Sequence, residues 1–401
     1  MNKDIPPDFK VPGFLAAGIA AGIKKNQEKD LALIYSEVSS VAAGVFTTNR
    51  VKAAPVLLSR ERIKSGRARA ILINSGSANA CTGQRGLADG RRLSRLVATS
   101  LKVSPEDVLL ASTGVIGKPL PMSLMEEHLP RLLSSLTPEG LGDAAQAIVT
   151  TDTFPKAAIL RRRVNGKEIT LAGIAKGAGM ISPHMATLLS FVISDASISL
   201  KALRQSLKEG VRESFNQVTV DGDMSTNDTL LILANGEAKN GEILLGTTGY
   251  EKFSSSLHEL LFSLAQKIVR DGEGATKLVA IVVEKARTAF EAERVARAVA
   301  NSPLVKTAFF GEDANWGRIL CAAGYSGAPV DPNKIDVYFD DVAVVHRGEG
   351  TGSVREEQAT AVMKKREYTV RINLNQGKKK SSIFTTDISL DYVKINASYR
   401  S

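Results

Sequence analysis

The chain has 401 residues, of which 43% are hydrophobic and 23% charged, and a formal net charge of +10. That is a globular composition, with ample apolar material for a core and too much for a disordered chain, and the length admits two domains or one large layered one. The two cysteines, Cys81 and Cys321, stand far apart without metal-ligand spacing, which argues against a disulfide framework and for a reducing compartment.

The N-terminal stretch is polar, carries Pro6 and Pro7 and has no apolar signal core. No apolar run approaches the roughly 20 residues of a membrane span, so the expectation is a soluble cytoplasmic protein with no membrane partner. Two strand patterns follow, Leu31 to Tyr35 and Val41 to Thr48, with Gly44 interrupting the second. A third, Ala70 to Asn74, leads into "NSGSANACTG", where small residues leave backbone N–H groups open to a ligand. Leu87 to Leu101 has helical spacing, and Val108 to Ala111 reads as a strand ending in "STGVIG". Leu141 to Ile148 is again helical and runs into "VTTDTFPK".

The stretch "AKGAGMISPHMATLLSFVI" places a glycine-rich turn before Thr187 and an apolar strand after it. Ser199 then caps a helix carrying Leu203, Leu207, Val211 and Phe215. A buried strand is expected at Leu230 to Ala234, a helix over Ser255 to Val269, a strand over Leu278 to Val283 and a helix over Ala289 to Ala300. A strand is then expected over Val305 to Phe310, followed by a loop "GEDANWGR" and a tail from Ile335 onward that is mostly short strands with turns between. With no linker and no repeat, one packed α/β body is expected. The basic runs Arg161–Arg163 and Lys378–Lys380 sit at strand ends with no interleaved aromatics. They read as solvated turns, and no nucleic-acid partner is expected.

The missing motifs narrow the chemistry. Only four histidines are present, and there is no HExxH, CxxC, GxGxxG, Walker loop or G-x-S-x-G elbow. Metal, dinucleotide and Ser-His-Asp chemistry therefore have no standard cradle. A hydroxyl can instead be activated by its own α-amine, provided the chain is cut just before it. Thr187, following a glycine-containing turn and opening a buried strand, fits that description. It equally fits an ordinary loop running into a strand that begins with a good strand former.

Eleven blocks decide between these. "GIAAGIKKNQEKDLALIYSE", "VAAGVFTTNRVKAAPV", "INSGSANACTG", "STGVIG", "TTDTFPK", "AKGAGM", "MATLL", "VTVDGDMSTNDT", "DGEGATK", "GEDANWGRI" and "INASYRS" together resemble, in order and over essentially the whole chain, the ornithine acetyltransferase (glutamate N-acetyltransferase) family. The resemblance implies a four-layer α/β/β/α sandwich with a self-cleaving, N-terminal-nucleophile-like fold. It implies a cut between Ala186 and Thr187 into fragments 1–186 and 187–401, assembled as a heterotetramer of two of each. It further implies transfer of acetyl from N-acetylornithine to glutamate through an acetyl-Thr187, with acetyl-CoA as a donor in some members and no bound cofactor. By position, Thr113 and Gly114 match the oxyanion hole. Thr150 or Thr151, Lys176, Thr187, Glu273, Asn396 and Ser401 match substrate-binding positions. Departures are small: Ser182-Pro183-His184 stands where His-Pro-Asn is common, Ser77 where Asn is common, and Ser401 replaces a terminal Thr. An amidohydrolase or aminopeptidase on the same scaffold, with water as acceptor, is the alternative; the amino-acid-binding positions weigh against it.

Overall fold

The computed structural model describes residues 5–182 and 188–398. The described residues divide into two compact units rather than the single body expected: one comprises those up to Asn216 together with Asp223–Ile268, the other Gln217–Gly222 and residues 269–398.

The first unit holds β1 (Phe14–Ile19), β2 (Leu31–Phe46), α1 (Ala54–Arg62), β3 (Arg67–Ser77), α2 (Gly83–Leu101), β4 (Val108–Val115), α3 (Met122–Ser134) and α4 (Leu141–Ile148). It continues with β5 (Lys156–Val164), β6 (Lys167–Lys176), β7 (Leu189–Ser194), α5 (Leu200–Arg212), β8 (Thr229–Ala234) and most of α6 (Thr248–Arg270). Its strands run in the order β4-β3-β2-β8-β7-β6-β5, with β1 on β2. The two strands read from Leu31 and Val41 are one, because exposed Glu37–Ser39 interrupt the apolar pattern but not the backbone. A register shift between Tyr35 and Ser40 lets β2 pair with β1 and β3 through its first half and with β8 through its second.

The strand's period of two then builds the layers. Ile34, Ile71, Ile73 and Leu109 from the β1–β4 half share one core with Ile174, Phe191, Ile193, Leu231 and Leu233 from the β5–β8 half, and α4 packs into the same core. The opposite face of the first half, through Leu33, Leu72 and Leu110, packs on Leu93 and Val97 of α2 and Leu129 and Leu132 of α3. Behind the second half, a Cβ on Gly173 would strike Leu260 and Leu264 of α6. This helix–sheet–sheet–helix order is the expected α/β/β/α sandwich. Ser199 caps α5 as read, accepting from the Ala202 N–H.

The second unit holds β9 (Leu278–Ala286), α7 (Ala289–Ala300), α8 (Pro303–Phe310), α9 (Trp316–Gly324), β10 (Asp336–Phe339), β11 (Val342–His346), β12 (Glu349–Gly350), α10 (Ser353–Met363), β13 (Glu367–Asn373), β14 (Lys379–Thr386) and α11 (Leu390–Ser398). Its six strands run β12-β11-β10-β13-β9-β14. Two expectations fail here. Residues 303–310 form a helix because Ser302 caps it, accepting from the Val305 N–H, and Pro303 pre-sets the first turn. The loop expected at "GEDANWGR" is cut short where Trp316 opens α9 behind an Asn315 cap, while the tail is mostly strands as read, with α10 and α11 added. The Arg161–Arg163 and Lys378–Lys380 runs are exposed at strand ends, as read.

The helix at 303–310 carries Lys306 into the core. Its ammonium is buried and donates to Thr385 Oγ1 at 2.9 Å and to the Thr386 carbonyl. Burial pulls it from 10.5 to about 7, against the opposing pull of Asp387 and Asp221. Between about pH 7 and 10.5 the unfolded chain therefore binds the proton that the folded chain has shed, so this group's contribution to stability rises with pH across that window. In urea unfolding, the wild type is expected to gain on Lys306→Met between about pH 7 and about pH 9.5. Parallel profiles for the two proteins would contradict the assignment.

Candidate active site

The antiparallel pairing of β5, β6 and β7 sets the frame. Lys156 opens β5 opposite Ala175, and Lys176 closes β6 opposite Leu189 of β7. Two lysines thus lie side by side at one end of the sheet. Both are buried, Lys156 fully and Lys176 to 7% exposure. The carboxylate between them is Asp152, from the loop after α4. Its Oδ1 lies 2.5 Å from Lys156 Nζ and accepts from the Gly177 N–H at 2.7 Å. Its Oδ2 accepts from the Thr150 N–H at 3.0 Å and faces Lys176 Nζ at 4.0 Å. Burial would raise the Asp152 carboxyl, but Lys156, Lys176 and the hydrogen bonds outweigh it and hold the group at about 2. Asp152 is therefore a fixed negative charge at any working pH.

A third lysine borders this group. Asp30 accepts from the N–H groups of Ala21 (2.7 Å), Ile23 (2.6 Å) and Lys24 (2.9 Å), fixing the turn that carries Lys24. Burial lowers the Lys24 ammonium against the pull of Glu28 and Asp30, and the charge on Lys176 adds to the lowering.

The parallel pair β3–β4 brings Thr113 and Gly114 to the same region. Lys176 Nζ donates to Thr113 Oγ1 at 3.4 Å. An ammonium cannot accept, so the Thr113 hydroxyl takes this bond on its oxygen and keeps its own proton for another acceptor. Gly114 sits at φ +127, and a Cβ there would lie 2.5 Å from the Gly76 carbonyl carbon. The strand end is pinned from below: Ser112 Oγ donates to Asn74 Oδ1 at 2.6 Å, and Asn227 Nδ2 donates to the carbonyls of Ser112 (2.8 Å) and Ala78 (2.7 Å). Leu188 is tied down in turn, its carbonyl accepting from the Thr229 N–H at 3.0 Å.

Thr113, Gly114, Thr150, Thr151 and Lys176 thus all belong to the first unit. Between Thr150 and Thr151, both half-buried, it is the Thr150 backbone that is tied to Asp152. Glu273 and Asn396 belong to the second unit and touch each other, with Asn396 Nδ2 donating to Glu273 Oε2 at 2.9 Å. That pair is held by Gly274 at φ +65, where a Cβ would lie 2.5 Å from the Tyr392 nitrogen, and by Ser389 Oγ donating to the Gly274 carbonyl at 2.6 Å. Ala186, Thr187, His184 and Ser401 lie outside the described residues.

Sequence reading missed Asp152, Lys156, Lys24, Asn74 and Asn227. The one local signal was the acid–base spacing of four in "TTDTFPK"; the others owe their positions to tertiary packing.

The ArgJ family model matches residues 15–401. An "arginine biosynthesis bifunctional protein ArgJ" from Geobacter sulfurreducens is 51% identical over 98% of this chain and all of its own, and one from Symbiobacterium thermophilum is 48% identical over 97% of each. A crystal structure of the argJ protein from Bacillus halodurans, 41% identical, superposes with a TM-score of 0.51 over 53% of this chain and all of that one.

Proposed function

The chain belongs to the ArgJ family, an acetyltransferase of arginine biosynthesis, and on that premise we propose that it works through a covalent acetyl-Thr187. In the maturation step the Thr187 hydroxyl attacks the Ala186 carbonyl carbon, the Ala186–Thr187 C–N bond breaks as the nitrogen takes the proton, and water hydrolyses the resulting ester. Fragments 1–186 and 187–401 result, and the freed α-amine of Thr187 becomes the base for its own hydroxyl.

In the first half-reaction the Thr187 oxygen attacks the acetyl carbonyl of N-acetylornithine. The C–N bond breaks, the ornithine amine leaves with the proton, and the acetyl group remains as an ester. In the second, the glutamate amine attacks that ester, forming N-acetylglutamate and restoring the hydroxyl. The Thr113 hydroxyl and the Gly114 N–H stabilise both tetrahedral oxyanions. Lys176 takes a substrate carboxylate, and Thr150 or Thr151, Glu273, Asn396 and Ser401 complete substrate binding. No cofactor is bound, and the working form is a cytoplasmic heterotetramer of two fragments of each kind.

The observation that best supports this reading is the Lys176–Thr113 contact. It sets a cation for a substrate carboxylate beside a hydroxyl whose proton remains available, at the strand end next to Leu188. Initial-rate kinetics test the chemistry. Parallel double-reciprocal lines for N-acetylornithine against glutamate are expected of a covalent intermediate; intersecting lines, which require both substrates bound together, would overturn it.

A further inference from the structure

Asp152 does more in this structure than neutralise a lysine. Its two oxygens divide their partners: one serves Lys156 and the N–H of Gly177, the other serves the N–H of Thr150 and faces Lys176. A single carboxylate therefore joins the loop bearing Thr150 and Thr151 to the residue that follows Lys176. We propose that Asp152, buried against Lys156, is a positioning residue that aims Lys176 at the substrate carboxylate; the proposal rests on the acyl-transfer reading above.

Three features carry it. Asp152 and Lys156 are both fully buried in their side chains and 2.5 Å apart, so Lys156 is the close charge partner, while Lys176 stands off at 4.0 Å. Lys176 also meets Thr113 Oγ1 at 3.4 Å, so the ammonium that Asp152 faces stands beside the hydroxyl proposed for the oxyanion. Asp152, itself fixed by the Thr150 N–H, also holds the Gly177 N–H, so its removal frees the strand end that carries Lys176. Asn74 and Asn227 play the comparable part for Thr113, but without charge.

Asp152→Asn alone would strand a buried ammonium, so the pair is best replaced together as Asp152→Asn with Lys156→Met. In the full, matured enzyme this double variant is expected to raise KM for both N-acetylornithine and glutamate by about tenfold or more, because both lose an aligned charged partner, with kcat within about threefold. Lys176→Met alone is expected to do the same. Combining all three changes is expected to be no worse than Lys176→Met, since Asp152 acts through Lys176.

An unchanged KM in the double variant would overturn the proposal. So would a triple variant whose KM effects multiply, because independent structural damage multiplies. The same preparations separate this from the parent reading. Failure of that reading appears as intersecting initial-rate lines in the wild type. Failure of the Asp152 proposal alone appears with parallel lines intact.

Discussion

Thr187→Ala is expected to give one uncut chain on a denaturing gel and to lower acetyl transfer by on the order of 10⁴-fold or more. On the proposed mechanism the same hydroxyl is required twice, once to attack the Ala186 carbonyl and once to carry the acetyl group. The fold should survive. The strand beyond position 187 is anchored independently, by the Leu188 carbonyl to the Thr229 N–H and by pairing of β7 with both β6 and β8. Circular dichroism and the unfolding midpoint should therefore stay near those of the wild type, which separates lost chemistry from lost structure. Thr187→Ser keeps a hydroxyl and should retain both cleavage and transfer at reduced rates. A cut chain in the Ala variant, or full activity without a cut, would refute the dual role.

Gly114→Ala is expected to cost both stability and turnover. At φ +127 an L side chain is strained by about 1–3 kcal/mol, and the new Cβ would sit 2.5 Å from the Gly76 carbonyl carbon and 2.7 Å from the Ser77 nitrogen. Backbone cannot move aside as a side-chain tip can, so overpacking adds roughly another 1–3 kcal/mol. A loss of about 3 kcal/mol or more in urea unfolding is expected. Any relaxation of the clash displaces Thr113 and Gly114, the donors proposed for the oxyanion, and one misplaced oxyanion donor lowers kcat by about 10²–10³-fold. Gly117→Ala provides the control: φ is also positive there, at +80, but a Cβ meets nothing within 4 Å. It should cost only about 1–2 kcal/mol and leave kcat nearly unchanged. Equal losses in the two variants would show that close approach to Gly76 is not what demands glycine at 114.

Where one element imposes one period, the sequence is readable. Leu141–Ile148 and Ala289–Ala300 are helices with the limits expected of them, and Ser199 caps α5 as its position suggests. Reading fails where two signals compete. Residues 305–310 look like a strand by apolar content, yet Ser302 and Pro303 start a helix, and nucleation outweighs the β preference of Val and Phe. Leu31–Tyr35 and Val41–Thr48 look like two strands, yet β2 runs from one into the other because a register shift absorbs the irregularity.

The site follows the same rule. Glu273 and Asn396 came from family resemblance rather than pattern, and they do meet, 2.9 Å apart across 123 positions of sequence. Asp152 in "TTDT" has the local sequence of an exposed turn. Its burial comes from β6 returning Lys176 and Gly177 to its side, which no local pattern encodes. Lys306 is hidden for a similar reason, since a lysine reads as surface until Thr385 and Thr386 of β14 enclose it.

Passage of the acetyl group through Thr187 is read by peptide mass spectrometry. The purified protein is mixed with N-acetylornithine alone and quenched. The expected result is a fragment beginning at Thr187 that carries one acetyl group as a hydroxylamine-sensitive ester, and that loses it when glutamate is added, with matching formation of N-acetylglutamate. An intact chain of 401 residues that transfers acetyl at full rate, or an acetyl group on any other residue, would contradict it.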